Sequence, residues 1–182
     1  PSQAVEASAI DRPLRVVATT GMVADLVRMV GGSRADVTAL MGPGIDPHLY
    51  KPTRNDVRLL QQAQLIVTSG LNLEGRMGEV FHQLGRNGKR VIAVTEGLDP
   101  AVIRHPDGPG GHADPHVWMD VKLWADCAEV VSQALCDLDP THADEYRARL
   151  RAGRTELVQL DADIRLAIQS IPAEQRTLVT AH

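Results

Sequence analysis

The chain has 182 residues, 43% of them apolar and only 3% aromatic, with a formal charge of −4. That length suits one domain, or one domain plus part of another, and its core must be aliphatic. The negative charge and the lack of any basic run argue against nucleic acid as a partner, and no apolar stretch approaches the roughly 18 residues that span a membrane.

Residues 1–13 are polar and aperiodic, an irregular N-terminal segment without a hydrophobic signal core. Leu14-Arg15-Val16-Val17-Ala18-Thr19 reads as a strand. Thr20 caps a helix from Gly21 to Val30, with Val23, Leu26, Val27 and Val30 at helical spacing; Gly31-Gly32 stops it. Asp36 to Met41 is a second strand, followed by the loop Gly42-Pro43-Gly44-Ile45-Asp46-Pro47-His48. Thr53 is an N-cap, and Asp56 three residues on makes a weaker form of the capping box. The helix it opens runs to Gln62, with Val57, Leu60 and Ala63 inward. Leu65 to Thr68 is a third strand, Gly70 to Gly75 a loop, Met77 to Leu84 a helix carrying His82, and Arg90 to Val94 a fourth strand. Alternating strands and helices predict an α/β fold, a parallel sheet with helices on both faces.

Glu96 to Ala113 is a long Gly- and Pro-rich loop with His105 and His112, read as solvated loop residues. Asp120 caps a helix through Leu138, with Leu123, Cys127, Val130, Val131, Ala134 and Leu135 apolar. Cys127 and Cys136 lie on this helix about 13 Å apart along its axis, too far for a bridge, and neither has metal-site spacing. A helix from Pro140 to Gln169 would be about 44 Å long. Its stripe of Tyr146, Leu150, Leu157, Leu160 and Ile164 is a packing surface. Pro172 ends it, and Thr177 to Ala181 reads as the first strand of a second sheet, closing on His182.

Two Asp-Pro-His triplets, Asp46-Pro47-His48 and Asp114-Pro115-His116, stand out. One such triplet is an ordinary turn with a surface histidine. Two, each after a Gly/Pro-rich loop and each running into a helix start, present imidazoles on turns stiffened by proline. With His182 at a strand end they point to a three-histidine metal site. Neutral imidazole suits zinc, whereas manganese prefers more oxygen. Asp46 and Asp114 are candidates to orient the rings, and Trp118 to pack beside His116. His82 and His142, on predicted helices, read as surface residues.

Four stretches carry a resemblance: Gly44 to Thr53, Gly70-Leu71-Asn72-Leu73-Glu74, Asp114 to Trp124, and Leu178-Val179-Thr180-Ala181-His182. The chain resembles the cluster A-I solute-binding proteins of zinc and manganese ABC importers, and within them the TroA-like branch. That resemblance implies two α/β lobes bridged by a long helix, with metal in the cleft. His48 and His116 match two ligands of the N-terminal lobe, residues 14–138. Residues 139–171 match the linking helix, and 172–182 the start of the C-terminal lobe, where His182 matches the third ligand. The fourth ligand of the family is an aspartate beyond this sequence. The resemblance further implies a periplasmic or extracytoplasmic protein, with or without a membrane anchor. Its cargo would be Zn2+, with Mn2+ as the second metal, and its partner an ABC permease, with a metallochaperone as an optional further one.

Two functional classes follow. One is a transport receptor that captures a divalent metal, without catalysis. The other is a zinc hydrolase, because three histidines with an open position is also a catalytic pattern. The chain has no His-Glu-x-x-His and no Walker-type loop.

Overall fold

The structure is a computed structural model and describes residues 12–106, 108 and 110–178. The near-continuous apolar runs of β1 (Leu14–Ala18) and β3 (Leu65–Thr68) suit strands buried on both faces, as a parallel sheet requires. With β2 (Ala35–Ala39) and β4 (Val91–Ala93) they form one parallel sheet in the order β2-β1-β3-β4. Val16 lies between Val37 and Leu65, and Val67 beside Ile92.

The parallel strands are joined through α1 (Gly21–Gly31), α2 (Arg54–Gln62) and α3 (Gly78–Arg86). The sheet alternation sorts the core into two halves. Val16, Ala18, Leu65 and Val67 pack with Val23, Val27 and Val30 of α1 and with Val131 and Leu135 of α4 (Val121–Leu138). Val17 and Ile66 face the other way, onto Leu60 of α2 and Phe81 of α3. Each fully buried aliphatic side chain contributes ~1.5–3 kcal/mol. Both faces are therefore helix-covered, as the alternation predicts.

Several boundaries differ from the sequence expectation. The second strand ends at Ala39 rather than Met41, although Leu40 and Met41 still donate to the carbonyls of Ala18 and Thr19. Val57 is 37% exposed; Asp56 takes the inward place instead, one turn before Leu60. The capping box is complete: Thr53 and Asp56 each accept from the other's backbone. Pro140–His142 is a separate 3-10 turn, and α5 begins after it (Ala143–Gln169), so His142 lies on a turn and not on the helix.

The apolar stripe of α5 divides in two. Tyr146 and Gly153 are buried against α4 and α1, but Leu160 and Ile164 are 47% and 40% exposed. Tyr146 is fully buried, and its hydroxyl donates to Asp139 Oδ2 at 2.8 Å. Burial, then this bond, raises its pKa. His142 Nδ1 reaches the same oxygen at 2.7 Å, within the turn that links α4 to α5. Cys127 and Cys136 are both buried and unbridged. Thr177 and Leu178 lie outside any strand, and the remainder of the expected strand, with His182, lies outside the described residues.

Candidate metal centre

In an open parallel sheet, ligands gather beyond the carboxyl ends of the strands, where the strand order reverses. Here that reversal falls between β1 and β3. The buried Glu74 closes it: its Oε1 accepts the Ser69 N–H at 2.7 Å and the Thr19 hydroxyl, tying the ends of both strands together. The turn that carries Glu74 runs through three successive left-handed residues, Gly70, Leu71 and Asn72. At Gly70 a Cβ would meet Thr95 Oγ1 at 2.2 Å and Ala93 Cβ at 2.8 Å. Glu74 stands in one of the stretches that carry the resemblance, but the sequence alone assigned it no role. Its signal was a carboxylate inside a Gly-containing turn just past a central strand.

His48 sits in the loop after β2. Asp46 Oδ1 accepts its N–H at 2.9 Å, a turn in which the aspartate side chain folds back on the chain. The second triplet repeats the motif. Asp114 Oδ1 accepts the His116 N–H at 3.0 Å and also lies 2.7 Å from His116 Nδ1. Asp46 therefore meets the backbone of its histidine, and Asp114 meets both backbone and ring. The His116 N–H does most to hold the Asp114 carboxyl below the usual carboxylate range; burial opposes it, and the His116 ring and Arg104 add to it.

Downstream, Val117–Met119 makes a 3-10 turn, and Asp120 caps α4 by accepting from Lys122 and Leu123. This geometry brings the half-buried His48 and His116 side by side, with ring centroids 5.5 Å apart and planes tilted by 60°. Trp118 packs edge-on to His116 at 5.2 Å. Exposed Leu49 and Met119 follow the two histidines in the chain. A cavity of about 260 Å³ lies between the His116 segment and α5, bordered by Arg104, Asp114, His116, Asp161 and Arg165.

The other histidines among the described residues lie elsewhere. His105 Nδ1 contacts the Gly111 carbonyl at 3.0 Å within its own loop, whose base is closed by Asp114 N–H donating to the Arg104 carbonyl. His112 and His82 are exposed.

Residues 16–182 match the family described as zinc-uptake complex component A, periplasmic. The zinc-binding protein TroA of Treponema pallidum is 45% identical over 177 residues, which are 97% of this chain and 56% of that protein. The manganese-binding lipoprotein MntA of Bacillus subtilis is 40% identical over 172 residues, 94% of this chain and 56% of that one. The solved periplasmic zinc-binding protein TroA from T. pallidum superposes with a TM-score of 0.86 at 43% identity, covering 93% of this chain and 60% of that structure. The chain thus spans little more than half the length of its curated relatives. The match covers both Asp-Pro-His turns and all of the sheet but the first two residues of β1, so the chain belongs to the ZnuA family of periplasmic zinc-uptake components.

Proposed function

We propose that this chain supplies most of the metal site of an extracytoplasmic receptor. It captures a divalent ion, zinc first and manganese second, and passes it to an ABC importer. The observation that carries this reading is the His48–His116 pair, 5.5 Å apart on two matching turns at the carboxyl edge of the sheet. Two nitrogens about 2 Å from one ion need rings this close.

Asp114 at Nδ1 of His116 supports it further. A carboxylate there favours a proton on Nδ1 and leaves Nε2 to face the metal. His182 is the third ligand in this proposal, on the strength of the sequence resemblance. The names of the relatives, zinc-binding and manganese-binding, agree with a nitrogen-rich site open to both ions. The metal is cargo, so the partner is a permease, and no metallochaperone is needed. No helix among the described residues is long and apolar enough to cross a membrane, which leaves the membrane step to that partner.

The hydrolase reading requires a base facing a metal-bound water. Asp114, the carboxylate at the His116 ring, is already engaged by that ring and by the His116 backbone, and Asp46 accepts the His48 N–H. We therefore read the chain as a binding protein rather than an enzyme.

The test is zinc affinity of the full-length protein, measured by competition with a chromophoric chelator. His48→Ala and His116→Ala should each weaken binding at least tenfold, which corresponds to ~1.4 kcal/mol or more. Unchanged affinity in both variants would refute the site.

A further inference from the structure

The segment that carries His48 meets the core at its two ends. Upstream, Met41 is buried and bonded to β1. From Gly42 to Leu49 no side chain is buried: residues 42–46 and 49 are exposed, and Pro47 and His48 are half-buried. The next side chain to join the core is Tyr50, packed against the half of the core that holds Leu60 and Ile66. It stands two residues after His48, whereas Met41 stands seven before it.

Tyr50 is also tied to the next element. Its hydroxyl donates to Asp56 Oδ2 at 2.7 Å. The same oxygen accepts the Thr53 N–H at 2.7 Å and the Thr53 hydroxyl at 2.8 Å. Asp56 is thus both the inward half of the α2 capping box and the fixed point to which the histidine segment is fastened. An ionised acceptor makes such bonds shorter and stronger than neutral ones. Among loop residues without core contacts, a bond of this kind sets where the following and preceding side chains point.

We propose that Tyr50 is a positioning residue for metal capture: its hydroxyl, held by Asp56, fixes the His48 imidazole where it can meet the ion together with His116. This rests on the metal-binding reading above. The chain of constraint runs from the N-terminus of α2 through Asp56 and Tyr50 to His48. Tyr50→Phe keeps the ring in its core contact and removes only the tether. Groups that orient a ligand directly are worth 10–100-fold in metal affinity, so a group acting one step further out should be worth roughly three- to tenfold.

A double-mutant experiment on the full-length protein separates positioning from mere stability. Zinc affinity is measured for wild type, Tyr50→Phe, His48→Ala and the double variant, with circular dichroism confirming the fold of each. Tyr50→Phe should lose roughly three- to tenfold in the wild-type background and nothing further once His48 is gone. Asp56→Asn, which weakens the same bond, should show the same dependence on His48 and serves in place of Tyr50→Phe if that variant does not fold. An equal loss in both backgrounds, or no loss in the wild type, would overturn the positioning role alone. Wild-type affinity in His48→Ala would overturn the metal-binding reading of His48, and this role with it.

Discussion

Asp114 and Asp46 occupy the same place in the same triplet, yet the structure uses them differently. Asp114 contacts the Nδ1 of its histidine as well as the N–H, so Asp114→Asn should lower zinc affinity by roughly tenfold or more while the turn survives, because asparagine also accepts the His116 N–H. Chelator competition on that variant beside Asp46→Asn, which should cost much less, checks it. Acid stability belongs to this scale as well. Burial pushes the Asp56 carboxyl up, but the Thr53 N–H and the Tyr50 and Thr53 hydroxyls outweigh it and hold it low, as the His116 N–H does for Asp114. A carboxyl whose pKa is lower folded than unfolded contributes stability that is complete above its unfolded value of about 3.9. That stability is lost as pH falls through the folded value. Melting temperature should therefore hold from pH 6 to about 4.5 and drop below it, and Asp56→Asn should flatten the drop. An unchanged slope in that variant would refute the assignment. The two histidines and the two aspartates were legible from the repeated triplet. The difference between the aspartates was not, because the same triplet stands at both places and only the folded contacts differ.

At the scale of elements, strand and cap signals were reliable wherever local chemistry decides. Thr20 and Thr53 cap α1 and α2 as expected, since a side-chain oxygen beside bare N–H groups has few other uses. Val57 misled because apolarity was taken to mark the inward face, while the capping box and Tyr50 draw Asp56 inward instead. The turn from Gly70 to Asn72 makes a firm prediction. Gly70→Ala places a Cβ against Thr95 and Ala93 in a backbone that L side chains disfavour, so it should cost more than ~2 kcal/mol. Urea unfolding measures this. Gly44→Ala, also at positive φ but facing open space, should cost distinctly less. Where α5 crosses α1, a Cβ at Gly153 would meet Met29 Sδ at 2.4 Å, so the two helices approach through a glycine. Methionine yields easily. Gly153→Ala should thus be mild, helped by better helix propensity, and Gly153→Leu severe by the same measurement.

At the scale of the molecule, the parallel sheet was legible because buried β1 and β3 runs alternate with amphipathic helices. The pairing of His48 with His116 was expected from the repeated triplet, but its physical cause lies outside that pattern. It arises because β2 and the start of α4 bring two distant loops to the same edge, a consequence of strand order that periodicity does not encode. The stripe of α5 is used in part: Tyr146 is buried, while Leu160 and Ile164 are exposed in this chain. Binding of cargo gives a prediction here too. Zinc at a hundred times its dissociation constant should stabilise the fold by ~2.7 kcal/mol. For a chain of this size that is a rise of about 5–10 °C in melting temperature. Manganese at the same concentration should raise it less, following the usual order of divalent affinities. Calorimetric scans with each ion decide it, and a larger rise with manganese would contradict a site dominated by imidazole.

The burial of the two cysteines has a bearing on chemical durability. Zinc seeks sulfur as readily as nitrogen, and an ionised thiol inside the same protein would compete with the histidines or be lost to oxidation. Burial, with a smaller push from the charge of Asp126, raises the Cys127 pKa to about 12. At neutral pH that leaves about one molecule in 10⁵ ionised at this position. Cys136 is likewise buried, its sulfur 3.6 Å from the Ala143 carbonyl. A disulfide reagent should label neither sulfur of the native protein at an appreciable rate, and both promptly once urea unfolds it. Among the described residues, the fold thus keeps both soft sulfur donors inside while the two imidazoles stay half-exposed at the edge of the sheet.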